Sequence, residues 1–166
     1  MVESLLTLHD VAGLAEWERA NGSVRGVLED WLAELSEKHT SADLPLASAK
    51  LTFGKYLISQ GEIEAAEPLV LSAYRDVPRD EEGSLAVAGH VHRAIGALAE
   101  IDAASERWLA ADKRLETIVN SRTQRWGRDD PRTAAAVVNH KAASEALRVF
   151  QQRQQSQRDA ARSPEK

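Results

Sequence analysis

The sequence predicts an all-α protein that forms one domain. The chain has 166 residues, of which 43% are hydrophobic and only 5% aromatic. It lacks the alternating runs of β-branched and aromatic residues that mark strands. Apolar residues recur instead at three- and four-residue spacing, which is the period of an amphipathic helix. The five prolines lie mostly between these periodic stretches, as expected where they separate helices.

A repeat of 38 or 39 residues organises the chain. The segment at 61–74 matches the segment at 99–112 without a gap, and a fainter copy occupies 22–35. Ala66 then aligns with Ala104. Self-similarity at such a period is typical of stacked supersecondary units. We therefore expect the aligned positions to lie in equivalent places between helices.

Each copy follows another helical stretch, so the repeating unit is a pair of helices. Gln60 and Gly61 end the stretch before the second copy, because glycine commonly follows a helix. The sequence thus predicts three hairpins, then a final helix that has no second helix behind it. The approximate ranges are residues 4–38, 45–78 and 82–125 for the hairpins, 131–158 for a capping helix and 159–166 for a flexible tail.

The second hairpin resembles the tetratricopeptide repeat (TPR), a helix-turn-helix unit that stacks into a superhelix. Phe53 and Gly54 match the large and small positions of its first helix, and Gly61 matches its turn. The small, bulky and terminating positions of the second helix are matched by Ala66, Ala73, Val70 and Pro78. The period is similar to that of the longer repeats in kinesin light chains and bacterial multi-repeat proteins. The resemblance covers roughly residues 8–150 and implies an α-solenoid of about three hairpins with a capping helix.

Close packing explains these positions in physical terms. Where two helices cross closely, only glycine or alanine lets the backbones approach, and a bulky neighbour fills the space where they diverge. We therefore expect Trp31, Val70 and Trp108, which share a column of the repeat, to be core residues. We also expect Ala104→Leu to destabilise the protein by about 1–3 kcal/mol through overpacking.

The motifs of catalytic and metal sites are missing, so we expect neither an enzyme nor a bound cofactor or metal. The chain has no cysteine, and it lacks the glycine-rich phosphate loops, HExxH helices, calcium loops and GxSxG elbows that carry such chemistry. His90 and His92 are two residues apart on a helix, where side chains point about 200° apart and cannot hold one ion.

The resemblance implies a binding site on the concave face, which the first helix of each pair lines. Carried onto this chain, it selects Leu51, Lys55, Ile58, Gly89, His90, Arg93 and Gly96. Gly89 and Gly96 lie on one helix face, and each costs a helix about 1 kcal/mol relative to alanine. We expect a peptide or protein with an acidic group that reaches Lys55 and Arg93 to dock there. Packing of the chain's own C-terminal helix into this patch is the open alternative.

The distribution of charge leaves two other functions open. Residues 1–84 carry 16 acidic and 7 basic residues, whereas residues 85–166 carry 10 acidic and 14 basic residues. The basic half suits a nucleic-acid-associated regulator, although no aromatic residues alternate with clustered arginines. The opposite charges of the two halves also suit a structural unit that self-associates into homo-oligomers.

Several features of the sequence are typical of a protein inside the cell. No apolar run has the length of a membrane span, and the N-terminal residues lack the pattern of a signal peptide. A chain without cysteine also fits a reducing compartment. We therefore expect a cytoplasmic protein without membrane contact, bacterial in character, that can form part of a longer regulatory chain.

Overall fold

The computed structural model describes residues 22–40, 43–77 and 84–162, which form six α-helices without any strand among them. The helices are α1 (Val24–Lys38), α2 (Leu44–Ser59), α3 (Ile63–Arg75), α4 (Leu85–Ala104), α5 (Trp108–Trp126) and α6 (Pro131–Arg162). The all-α prediction is confirmed. None of these described helices is long and apolar enough to cross a membrane.

The chain divides into two compact units. Unit 1 ends at Ile101 and unit 2 begins at Asp102, so the boundary falls within α4. Unit 1 contains α1, α2, α3 and most of α4, and unit 2 contains the last residues of α4 with α5 and α6.

Unit 1 is built around the hairpin of α2 and α3. Helix α2 carries Pro45 in its first turn, where the missing backbone N–H of proline leaves no helical hydrogen bond unmade. The chain turns at residues 60–62, and Gly61 adopts a φ of +78° there. Glycine reaches this left-handed conformation without strain, so the turn lies at the glycine that the repeat indicated.

Helices α2 and α3 approach each other closely at Gly54. A Cβ atom on Gly54 would lie 2.5 Å from Val70 Cγ2 and 3.5 Å from the backbone oxygen of Ala66. Carbon atoms prefer a separation of about 3.5–4.0 Å, so no larger residue fits without movement. Ala66, Val70 and Ala73 are each 0% exposed, which confirms the predicted burial of Val70 and of the two alanines.

Helices α1 and α4 complete the core of unit 1. Val24 and Leu28 of α1 join Leu98 and Ile101 of α4 in one buried cluster with the hairpin. Trp31 packs against this cluster but is only partly buried, so it borders the core that it was expected to enter. A smaller cluster lies between α2, the end of α3 and α4 and consists of Ala47, Val77 and Val87.

The third pair of helices turns later than the repeat predicts. The ungapped alignment placed the turn near Ala99, but α4 continues to Ala104 and the chain turns at residues 105–107. Ala99 and Ile101 are buried, so packing stabilises the helix through the expected turn. Ala104 is exposed at the end of α4. Its expected place in a close helix contact is therefore wrong, and so is the overpacking expected of Ala104→Leu.

The same shift in register changes the position of Trp108. This residue begins α5 and is only partly buried, and its neighbour Leu109 is 54% exposed. The alignment had placed Trp108 in the middle of a second helix, facing the core. The prediction that Trp108 is a core residue is wrong, because the later turn moves it to the first turn of α5.

Unit 2 is formed by the packing of α5 against α6. Helix α5 ends at Trp126 and is followed by Gly127, which has a φ of +87°, and α6 begins at Pro131. The residues buried along this pair are Ala111, Ile118, Thr133 and Ala136. Helix α6 runs to Arg162, somewhat beyond the expected end at residue 158, and residues 151–160 are all exposed.

Candidate interaction surface

One of the three residues predicted for a binding face on α2 is exposed. Leu51 is 4% exposed and belongs to the core of unit 1. Its assignment to a binding face is corrected, because a side chain enclosed by the core cannot contact a partner. Ile58 packs against the same core and keeps part of its surface. Lys55 is exposed and forms no ion pair within the described residues.

His90 is buried where α4 meets α3. It is 0% exposed, and its Nε2 atom donates a hydrogen bond to the backbone oxygen of Ala73 at 2.8 Å. Its Nδ1 atom has no hydrogen-bond partner among the described residues. Burial lowers the pKa of His90, the bond to Ala73 partly offsets that effect, and the charge of Arg93 lowers the pKa further. The neutral imidazole thus links α4 to α3 through a buried hydrogen bond. The assignment of His90 to the binding face is therefore corrected.

One face of α4 in unit 1 carries exposed and half-buried residues. At 100° per residue, positions 85, 89, 93, 96 and 100 fall within an arc of about 80°. Leu85 is 68% exposed, and Arg93 and Glu100 are also exposed. We call this set the α4 outer face, and it comprises Leu85, Gly89, Arg93, Gly96 and Glu100.

Two glycines leave the middle of the α4 outer face without side chains. A Cβ atom at Gly89 or Gly96 would meet no heavy atom of the described residues within 4 Å. Packing in the described parts of the chain therefore does not require glycine at either position, in contrast to Gly54. Each glycine lowers helix stability by about 1 kcal/mol relative to alanine. Their backbone is open to close approach from outside.

In the described parts of the chain, the charged residues of the α4 outer face have no partner of opposite charge. Within the described residues neither Arg93 nor Glu100 forms an ion pair or a side-chain hydrogen bond. Some other exposed charges of unit 1 are paired, as between Arg25 and Glu62 at 2.9 Å. The two unpaired charges lie seven residues apart, with Gly96 between them.

Glu100 is a residue of this face that the repeat did not predict. The repeat places the end of the helix near Ala99, so Glu100 falls outside the predicted face that carries Gly89 and Gly96. The signal was present, since Arg93, Gly96 and Glu100 follow one another at spacings of three and four residues. A helix that continues to Ala104 brings these positions onto one face.

No family model, curated protein or solved structure matches this chain.

Unit 2 contains a serine, a histidine and an aspartate in contact, but not in the arrangement of a hydrolase. The Ser144 hydroxyl donates to Asp112 Oδ1, and His140 Nε2 lies 3.2 Å from the same oxygen. In a catalytic triad the imidazole lies between the hydroxyl and the carboxylate, so that it can take the hydroxyl proton. Here Ser144 and His140 of α6 both contact the carboxylate of Asp112 on α5, so the cluster links the two helices.

A second polar cluster joins α2 to α3 in unit 1. Lys50 Nζ lies 2.7 Å from Ser72 Oγ and 3.0 Å from Asp76 Oδ2. The Ser72 hydroxyl donates to Asp76 Oδ2 at 2.5 Å, and this bond lowers the pKa of Asp76. The polar atoms of the cluster are turned toward one another across the helix contact, so its role is also structural.

A buried carboxylate joins the end of α4 to α5 within unit 2. Asp102 is 3% exposed, and its two oxygen atoms bind Arg107 Nε at 2.7 Å and Arg114 Nε at 2.6 Å. Burial of a carboxylate is tolerated when both oxygens are paired in this way. The cluster therefore stabilises the turn that ends α4, and it occupies two basic residues of the C-terminal half.

At the start of α6, the basic residue Arg132 binds other residues of the chain. Arg132 donates to Asp130 through its side chain and its backbone N–H, and these bonds lower the pKa of Asp130 to about 2. The Arg132 guanidinium also lies 4.1 Å from the centre of the Trp126 ring, a favourable cation–π contact. In the described residues, no group of three or more acidic or histidine side chains could hold a metal ion.

Proposed function

We propose that this protein is a non-catalytic protein-interaction module that binds its partner on the α4 outer face. The observation that carries the proposal is the pair Gly89 and Gly96, which lie seven residues apart on an exposed face and meet no described atom where a Cβ would stand. Glycines that weaken a helix without serving its own packing are accounted for if another molecule approaches that backbone.

The proposed architecture is a stack of TPR-like hairpins. Support comes from the contact between α2 and α3, where Gly54, Ala66 and Val70 meet as the repeat pattern requires. In such a stack the first helix of each pair lines the binding surface, and α4 is the first helix of the third pair. A cytoplasmic location goes with this proposal, because a chain without cysteine needs no oxidising compartment.

The charges on unit 1 suggest how the surface recognises a partner. Lys55 on α2 and Arg93 on α4 are exposed and have no acidic partner within the described residues. An arginine guanidinium binds carboxylates through two parallel hydrogen bonds. An acidic side chain of the partner is therefore the group that Arg93 would bind.

Binding of nucleic acid is less well supported than binding of protein. Several arginines of the basic half are occupied internally, among them Arg107 and Arg114 by Asp102 and Arg132 by Asp130. Phosphate contacts need free cationic side chains, and each contact makes binding fall with added salt. A steep loss of RNA or DNA binding as salt increases would favour the nucleic-acid function instead.

The test is affinity capture from the native host with immobilised wild type and two variants. Lys55→Glu combined with Arg93→Glu should lose proteins that the wild type retains. The matched control is Lys113→Glu, a charge reversal at an exposed position of α5, which should retain them. Circular dichroism melting would establish that all three proteins fold alike. Retention of the same proteins by all three would contradict the proposed surface.

A further inference from the structure

We propose that the partner of the α4 outer face is a second copy of this chain, docked with its α4 antiparallel to the first. This inference rests on the proposed function, because it names the partner of the same surface. It is carried by the placement of two unpaired opposite charges on either side of an open glycine.

The spacing of these charges suits a twofold contact centred on Gly96. When two antiparallel α4 helices cross at Gly96, each residue before Gly96 in one copy faces the residue that lies the same number of positions after Gly96 in the other copy. Arg93 is three residues before Gly96 and Glu100 is four residues after it. With a rise of 1.5 Å per residue, Arg93 of one copy and Glu100 of the other therefore lie only about 1.5 Å apart along the helix axis.

The two charges also lie on the same side of Gly96 around the helix. Arg93 is displaced from Gly96 by about 60° and Glu100 by about 40° in the same direction. A twofold axis perpendicular to the plane of the two helices keeps such side chains on one side of that plane. Each contact therefore joins Arg93 of one copy to Glu100 of the other, and the symmetry repeats this ion pair.

Glycine at the crossing point permits the close approach that these pairs require. With no side chain at Gly96, the two helix backbones can come nearer than ordinary side chains allow. The α4 outer face has no described atom within 4 Å of the position where a Gly96 Cβ would stand, so the space is open to the second helix.

Charge complementarity selects this arrangement over two others. A parallel pair would place Arg93 at the height of its own symmetry copy and not at that of Glu100, so both charges would stay without a partner of opposite charge. An acidic peptide would satisfy Arg93 but would be repelled by Glu100, which is exposed on the same face. The antiparallel second copy satisfies both charges at once, and such reciprocal pairing gives specificity.

The experiment is sedimentation velocity of the full chain over a range of concentrations, with charge-reversal variants. The wild type should form a dimer, and either Arg93→Glu or Glu100→Arg should weaken it by at least about tenfold, because each change replaces two attractive contacts with two repulsive ones. The double variant Arg93→Glu/Glu100→Arg should restore the dimer. Lys113→Glu is the control and should dimerise as the wild type does.

A mixture of the two single variants separates a specific contact from general damage. Each variant alone should remain monomeric, but together they should form a heterodimer, because the altered charges are complementary between the two chains. Dimerisation should also weaken as salt is added. Gly96→Leu should block the contact while melting at or above the temperature of the wild type, since leucine is the better helix former and its side chain would point into open space in the single chain.

The outcomes of the two proposals can be told apart. A wild type that stays monomeric up to about 100 μM, or a mixture that forms no heterodimer, overturns the second copy as partner. If host proteins are then still lost with the Lys55→Glu/Arg93→Glu variant and kept with Lys113→Glu, the proposed function stands without this inference. If neither assay responds to these variants, both proposals are overturned.

Discussion

Gly54→Ala should destabilise the protein although alanine is the better helix former. Alanine in a helix gains about 1 kcal/mol over glycine. The added Cβ would lie 2.5 Å from Val70 Cγ2, more than 1 Å inside the separation of about 3.5–4.0 Å that carbon atoms prefer. Val70 is 0% exposed and cannot move into solvent. Overpacking of this kind costs about 1–3 kcal/mol, and subtracting the gain of about 1 kcal/mol leaves a net loss of up to about 2 kcal/mol.

The assay is urea unfolding followed by far-ultraviolet circular dichroism. The matched control is Gly26→Ala, because Gly26 is also helical and a Cβ there meets no described atom within 4 Å; its stability should stay equal or rise. Val70→Ala removes the methyl group that clashes, so in that background Gly54→Ala should no longer destabilise. If Gly54→Ala is as stable as the wild type, or if its effect simply adds to that of Val70→Ala, the proposed steric contact is refuted.

Three further predictions concern buried groups. Because the pKa of His90 is lowered in the folded protein, the unfolded chain binds a proton first as the pH falls. The contribution of neutral His90 to stability is therefore fully present above the ordinary histidine pKa of 6.5 and is lost as the pH drops below it. The urea midpoints measured at pH 7.5 and 5.5 should differ more for the wild type than for His90→Gln. Asp102→Asn should lower the unfolding free energy by about 2 kcal/mol, less than for a fully buried pair because both arginines are partly exposed, and an unchanged melting temperature would contradict this. Ala66→Leu should cost about 1–3 kcal/mol by overpacking, whereas Ala104→Leu should change stability by less than about 0.5 kcal/mol, and equal thermal melts for the two would refute the difference in their burial.

The polar clusters show that residue types alone do not assign a catalytic role, because the role depends on how the side chains are arranged. Ser144, His140 and Asp112 include every residue type of a hydrolytic triad, yet the hydroxyl donates to the carboxylate and not to the imidazole. None of these residues was given a chemical role from the sequence, because they come together only where α5 packs on α6. Their shared role is to satisfy polar atoms across a helix contact, which a partly buried interface requires.

The contact between α2 and α3 was predictable because its pattern is local. Gly54, Gly61, Ala66 and Val70 lie within one hairpin, and their spacing reports helix faces directly. Small residues at a crossing and glycine at a turn each have one dominant physical reason. The positions of these residues in the structure are those expected from that spacing.

The candidate surface was predictable only in part. Gly89, Arg93 and Gly96 lie on one face of α4, because they share a short stretch of one helix, and their role in binding stays a prediction. His90 was assigned to that face from sequence proximity to Gly89, but adjacent helical residues point about 100° apart. Its ring instead reaches the backbone of Ala73, a contact between helices that spacing along the chain does not reveal.

The sequence by itself determined the helical class of this protein and the close contact within its second hairpin, since both follow from periodicity over a few turns. Only the tertiary structure decided where α4 ends and which of its faces stays open. The burial of Ile101 and the binding of Asp102 to Arg107 and Arg114 extend the helix past the repeat's expected turn. These contacts form between parts of the chain that meet only in the folded structure, and aligning one segment with another does not reveal them. The end of the helix, and with it the exposure of Glu100, therefore depends on packing.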